Sequence, residues 1–146
     1  MGTWKPVLST SYDSWLGIMP DGTLGVGKFD VGRVSLDESH YVVAWPLLSN
    51  GFDDVYRQLY SVRKQLNLDV GGPEMLIECI VSSAWRSGRP YWMRLAVPWA
   101  GAMVQSGAFD VGKLRTLLVS MSKSELISAD DREFAQHALA TVDESV

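Results

Sequence analysis

Apolar residues between positions 50 and 70 recur with the period of an α-helix. They follow one another at intervals of three, four, three and four residues: Phe52, Val55, Leu59, Val62 and Leu66. Positions spaced in this way lie on one face of a helix. Asn50 stands where a side chain can cap the first turn, and Asp53 and Asp54 follow where the helix dipole favours negative charge. The pattern therefore predicts a helix over residues 52–66.

Two more helices are predicted toward the carboxyl end of the chain. The first, over residues 110–121, has its apolar positions on one side: Val111, Leu114, Leu117, Leu118 and Met121. The second, over residues 129–141, follows Ser128, a residue type that caps helices, and has Asp131 at its third position. Its inward-facing side chains are expected to be Phe134, Ala138 and Leu139.

The first fifty residues alternate short β-prone runs with turn residues. Residues 14–19 and 23–27 flank Pro20-Asp21-Gly22, in which glycine supplies the positive φ that a tight hairpin turn requires. A further strand is predicted over residues 40–48, because they form a nearly continuous run of β-branched, aromatic and apolar side chains. Pro46 lacks a backbone N–H, so it ends the paired part of that strand or places it at a sheet edge.

Residues 73–98 allow two interpretations. Residues 73–85 can form a buried helix that begins with a proline, because proline suits the first position of a helix. They can also form a strand that pairs with residues 90–98 through a turn at Ser87-Gly88. We favour the hairpin, since residues 91–97 have a strand-like sequence. In that register Trp92 and Arg94 share the face of the hairpin that is not the core face.

These elements together predict an α+β fold. The chain of 146 residues is long enough to bury a hydrophobic core without disulfides or metal, so we expect a single domain over residues 1–146. An antiparallel sheet of about five strands would be covered on one face by the helices over residues 52–66, 110–121 and 129–141. Residues 143–146 are expected to form a frayed tail.

Charge and composition exclude several classes of protein. A net charge of −4 argues against a general affinity for nucleic acid. The longest uncharged run, residues 95–109, is shorter than the roughly 20 residues of a membrane-spanning helix. A single cysteine, Cys79, excludes a disulfide within the chain, and the first residues lack the pattern of a signal peptide. We therefore expect a cytoplasmic protein without a membrane partner.

The clearest anomaly is a segment without carboxylates. No aspartate or glutamate occurs between Glu78 and Asp110, and this segment contains three arginines among large aromatic rings. Arginine, tryptophan and tyrosine dominate the energetics of protein interfaces, and arginine binds carboxylates in a forked geometry. The predicted contact set is Trp85, Arg86, Arg89, Tyr91, Trp92 and Arg94. The competing interpretation is a packed hairpin in which arginine stems cover the rings and the tryptophans fill the core.

Catalytic and metal-binding patterns do not emerge from the chain. Cys79 has only His40 and His137 as candidate imidazole partners, and it lies among apolar residues that favour an inert, packed thiol. Two histidines in different elements and one cysteine give no ligand spacing for zinc. Residues 22–28 are rich in glycine but lack the sequence of a phosphate-binding loop. We predict no catalytic residue, metal or cofactor, and the chain is more consistent with a binding protein than with an enzyme.

The leading hypothesis is a non-enzymatic protein-binding module that binds an acidic face of a partner protein. Its role would be to neutralise, chaperone or regulate that partner, as an immunity protein does. A small-molecule-binding domain or small enzyme with an aromatic-lined pocket is the alternative. Homo-oligomerisation is a third possibility, because the chain from Lys123 onward has six carboxylates against two cations and could attract the basic segment of a second copy.

Overall fold

The computed structural model describes residues 2–37 and 41–144. Within these ranges, four strands, one 3₁₀ helix and five α-helices follow one another along the chain. The strands are β1 (Lys5–Ser11), β2 (Ser14–Ile18), β3 (Leu24–Gly27) and β4 (Gly32–Ser35). The 3₁₀ helix spans Tyr41–Ser49, and the α-helices are α1 (Phe52–Ser61), α2 (Gly72–Arg86), α3 (Pro90–Ser106), α4 (Val111–Lys123) and α5 (Ala129–Glu144). The fold is therefore α+β, with four strands rather than the five predicted.

Backbone contacts divide the chain into two units, Met1–Ile80 and Val81–Val146, and the boundary falls inside α2. The first unit contains the sheet, whose strands pair antiparallel in the order β1-β2-β3-β4. Leu16 on β2 pairs with Val26 on β3, and both side chains are buried. The predicted hairpin is confirmed, and Gly22 adopts a φ of 89° in its turn. Asp21 accepts hydrogen bonds from the backbone N–H and the hydroxyl of Thr23, which fix the turn and lower the pKa of Asp21.

The segment predicted as a strand over residues 40–48 is a 3₁₀ helix, so that prediction is wrong; its first residue, His40, lies outside the described residues. The apolar run buries two side chains on either side of Pro46: Ala44, Trp45, Leu47 and Leu48. A continuous apolar run does not distinguish a buried strand from a buried helix, because neither a period of two nor a period of 3.6 is visible in it. Pro46 lies inside the helix.

The helix predicted over residues 52–66 exists but ends five residues earlier, at Ser61. A series of turns continues from residue 62 to residue 67, and Leu66 donates its backbone N–H to the Val62 carbonyl at 3.0 Å. Leu66 is buried although it lies beyond the helix. The predicted Asn50 cap is also wrong, because Gly51 is the N-cap residue and the Asn50 amide donates instead to the Thr10 carbonyl at 3.4 Å.

The hairpin predicted over residues 73–98 is the main error, because both of its strands are helices, α2 and α3. Buried positions on α2 recur at intervals of three, one, three, one, three and one residues: Pro73, Leu76, Ile77, Ile80, Val81, Ala84 and Trp85. This is the spacing of a wide helical stripe. Pro90 occupies the first position of α3, where its missing N–H costs no hydrogen bond. The helical alternative for residues 73–85 was therefore the correct one.

The second unit contains the rest of α2 and helices α3, α4 and α5, and the last three pack against one another. The predicted helices over residues 110–121 and 129–141 are confirmed. Asp110 caps α4 by accepting from the Lys113 N–H at 2.9 Å, and Ser128 caps α5 by accepting from the Asp131 N–H at 3.1 Å. Val111, on the apolar side of α4, is exposed, and Phe134 is 45% exposed although its ring lies against Gly101 of α3.

On α5, Ala135 and Val142 are the buried residues. α5 extends to Glu144, and Asp143 accepts a hydrogen bond from Nε of Arg115 at 3.0 Å. The remaining two residues of the predicted frayed tail lie outside the described residues. The covering of one sheet face by the helices stays a prediction.

Candidate binding surface

The junction between α2 and α3 positions two of the three arginines. Arg86 is the last residue of α2, and Arg89 is the N-cap residue of α3. Between them, the Ser87 hydroxyl donates to the Ala84 carbonyl at 2.6 Å and accepts from the Arg89 N–H at 3.1 Å. Gly88 adopts a φ of 71°, a conformation that favours glycine. The loop is therefore held at both ends, and both arginines are exposed beside it.

The third arginine lies one turn further along α3. Arg94 follows Tyr91 by three residues, so the two side chains lie on the same side of the helix, and both are exposed. Within the part of the chain that the structure describes, the Arg94 guanidinium makes no hydrogen bond or ion pair. The first turn of α3 contains no acidic residue, so the positive end of the helix dipole adds to the arginine charges. We call Arg86, Arg89, Tyr91 and Arg94 the arginine surface.

The indole rings of the segment are distributed differently from the arginines. Trp85, a member of the predicted contact set, is only 6% exposed, and its Nε1 donates to the Ser120 hydroxyl of α4 at 2.9 Å. Trp99 is also buried. These two rings belong to the interior of the second unit, as the competing interpretation of the sequence holds, so Trp85 does not belong to the arginine surface.

Tyr91 supplies the aromatic part of the arginine surface, and Trp92, the next residue on α3, packs against its ring. Trp92 is half-buried, and its ring lies edge-to-face with that of Tyr91, with the centroids 4.9 Å apart and the planes at 87°. Tyr91 is 60% exposed. The predicted sharing of one face by Trp92 and Arg94 is wrong, because residues two apart lie on nearly opposite sides of a helix, whereas on a strand they would lie on the same side.

A cavity of about 200 Å³ adjoins the arginine surface, lined by Tyr91, Arg94, Leu95 and Asp131. Three of these residues occupy one side of α3, and Asp131 comes from the first turn of α5. The Asp131 carboxylate, like the Arg94 guanidinium, has no hydrogen-bond or ion-pair partner among the described residues. A negative charge therefore lies at the border of a positive surface. The sequence placed Asp131 at the start of a helix and among the six carboxylates of the acidic C-terminal region, but not in a cavity.

The structure of the described residues gives little support to a catalytic thiol or a metal site. Cys79 is half-buried on α2, and its suggested partner His40 lies outside the described residues. His137 is exposed on α5, where its Nε2 lies 4.0 Å from Oε1 of Glu133. Among residues 2–37 and 41–144, no three side chains of histidine, cysteine, aspartate or glutamate converge as metal ligands. In the same ranges, every helix is too short or too polar to cross a bilayer.

Comparisons of the chain with protein-family models, with curated proteins and with solved structures found no match. The geometry of the chain itself therefore carries the functional argument.

Proposed function

We propose that this chain is a non-enzymatic protein-binding module that acts in the cytoplasm and binds an acidic face of a partner protein through the arginine surface. The observation that carries the proposal is the exposure of Arg86, Arg89 and Arg94 around one ordered junction, inside 31 residues that contain no carboxylate. The proposed role is to neutralise, chaperone or regulate that partner.

The chemistry of the surface suits a carboxylate-bearing protein. Guanidinium groups bind carboxylates through two parallel hydrogen bonds, and an exposed tyrosine adds apolar area together with a hydroxyl. A protein partner fits better than nucleic acid, because the whole chain has a net charge of −4 and would repel a long polyanion. The single cysteine is compatible with a reducing compartment.

Charge reversal with a matched control tests the proposal. The test variant combines Arg86→Glu, Arg89→Glu and Arg94→Glu. The control variant combines Lys5→Glu, Arg33→Glu and Lys64→Glu, three exposed cations outside the arginine surface. Both variants change the net charge from −4 to −10, so a general effect of charge cancels between them.

The measurement has two stages. A protein captured by the tagged wild-type chain is identified and purified, and its dissociation constant is then measured for the wild type and both variants. We expect the test variant to bind at least about 100-fold more weakly, because like charges facing each other cost several kcal/mol at an interface. The control variant should bind within about threefold of the wild type. Equal weakening by both variants, or by neither, would overturn the proposal, provided circular dichroism shows both variants folded.

A further inference from the structure

The cavity beside the arginine surface has a charge pattern of its own. Tyr91, Arg94 and Leu95 line it from α3, with Arg94 and Leu95 three and four residues after Tyr91, and Asp131 lines it from α5. Residues at these spacings form one continuous patch of helix surface. The cavity therefore has a cation, an aromatic ring and an aliphatic side chain on α3. It has an anion on α5.

The Arg94 guanidinium and the Asp131 carboxylate line the same cavity without forming an ion pair with each other or a hydrogen bond with any other described residue. The Asp131 backbone N–H is used by the Ser128 cap, but its carboxylate is not engaged. Opposite charges that border one depression without pairing leave room for a ligand that contacts both. A ligand with only a carboxylate would meet Asp131, and a ligand with only an ammonium group would meet Arg94, so each would gain one attraction and suffer one repulsion.

The size of the cavity limits the ligand further. Its volume of about 200 Å³ is smaller than the roughly 300–1,000 Å³ of pockets for drug-sized ligands, so it suits a ligand smaller than a nucleotide. It corresponds to about seven water molecules at their share of liquid volume. A small molecule with adjacent positive and negative groups and a short apolar part fits these limits.

The geometry points to a binding site for a small zwitterion of the α-amino acid type, whose carboxylate contacts Arg94 and whose ammonium group contacts Asp131. Its side chain lies against Tyr91 and Leu95. This site goes beyond the proposed protein-binding function and does not depend on it. Both ion pairs are partly open to solvent and therefore weak, so we expect a dissociation constant on the order of 1 mM.

Three matched ligands test the site. Isotope-labelled full-length chain is titrated with L-leucine, which has both charges, with N-acetyl-L-leucine, which lacks the cation, and with L-leucine methyl ester, which lacks the anion. Backbone amide shifts in nuclear magnetic resonance spectra report where each ligand binds. We expect L-leucine to shift amides of residues 91–95 and 128–132 together, and each blocked ligand to bind at least about threefold more weakly.

Variants of the two charged residues complete the test. Arg94→Gln and Asp131→Asn should each abolish the preference for the zwitterion, whereas Lys64→Gln and Asp130→Asn, at exposed positions outside the cavity lining, should leave it unchanged. Equal binding of all three ligands, shifts elsewhere in the chain, or no saturable shift at 50-fold the expected dissociation constant, about 50 mM, would overturn the inference.

One variant separates this inference from the proposed function. Asp131→Asn removes a negative charge beside Arg94, so it should weaken binding of the zwitterion but leave unchanged or strengthen the capture of an acidic protein. Failure of the leucine titration with intact, arginine-dependent capture would remove the small-molecule site alone. Loss of capture with an intact titration would remove the protein-binding function alone.

Discussion

The hydroxyl of Tyr56 donates a hydrogen bond to Oε1 of Glu74 at 2.9 Å, which joins the middle of α1 to the first turn of α2. The second oxygen of this carboxylate, Oε2, is buried and accepts no hydrogen bond from the described residues. Burial and the hydrogen bond to Glu74 raise the pKa of Tyr56 to about 12. The hydrogen bond therefore links α1 to α2, and the raised pKa keeps the Tyr56 hydroxyl protonated until the solution is strongly alkaline.

The first prediction concerns the pH dependence of this pair. The folded-state pKa of Tyr56 lies above its ordinary value of 10.0, so the proton stabilises the fold fully below pH 10 and this contribution is lost as the pH rises toward about 12. Tyr56→Phe should therefore reduce the free energy of unfolding by about 1 kcal/mol at pH 8. The difference from the wild type should shrink between pH 10 and pH 12, measured by urea denaturation at several pH values.

The control for this prediction is Tyr12→Phe, because the Tyr12 side chain is fully exposed. It should change the free energy of unfolding by less than about 0.5 kcal/mol at every pH. A constant difference between the wild type and Tyr56→Phe across the alkaline range would show that Tyr56 titrates identically in the folded and unfolded chains, contrary to the account.

A second prediction concerns the contact between α3 and α5 at Gly101. A Cβ atom at this position would lie 2.5 Å from Cζ of Phe134, which is too close for an undisturbed ring. Gly101→Ala should therefore displace the partly exposed Phe134 ring, and the lost contact should offset much of the roughly 1 kcal/mol by which alanine is favoured over glycine in a helix interior. In a Phe134→Ala background the same change should stabilise the protein by about 0.5–1 kcal/mol. Thermal or urea denaturation of the four proteins gives the coupling; an effect of equal size in both backgrounds would contradict the contact.

A third prediction concerns the start of α5. The Ser128 hydroxyl accepts a hydrogen bond from the Asp131 N–H at 3.1 Å, so Ser128→Ala should reduce the free energy of unfolding by about 1 kcal/mol. Ser128→Asp supplies another acceptor and should retain most of the stability. Chemical denaturation compares the three proteins. Equal stability of the serine and alanine proteins would mean that water replaces the cap without cost.

The sequence correctly predicted helix starts and tight turns, which depend on a few neighbouring residues. Ser128 and Gly22 were identified because capping and a positive φ depend on a few neighbouring residues. The helical alternative for residues 73–85 was the less favoured one because residues 91–97 have a strand-like sequence, although the apolar positions of residues 73–85 already had the helical period. Pro90 gave a second signal, since proline is common at the first position of a helix.

The candidate site could be predicted only in part. The sequence alone shows that no carboxylate occurs near the three arginines along the chain. The structure adds that all three arginines are exposed. Buried Trp85 donates a hydrogen bond to Ser120, which lies 35 residues away, and the cavity is lined by Arg94 from α3 and Asp131 from α5. No local pattern encodes such long-range contacts, because they arise from the packing of α3, α4 and α5.

Site-specific photo-crosslinking tests the central claim most directly. A photoreactive phenylalanine derivative replaces Tyr91 on the arginine surface or, as the matched control, Tyr12 in the first unit; both tyrosines are exposed. After irradiation in cells, position 91 should yield an adduct with a protein segment rich in aspartate and glutamate, and Arg89→Glu should suppress that adduct. Adducts from position 12 alone, or an adduct from position 91 that survives Arg89→Glu, would contradict the account.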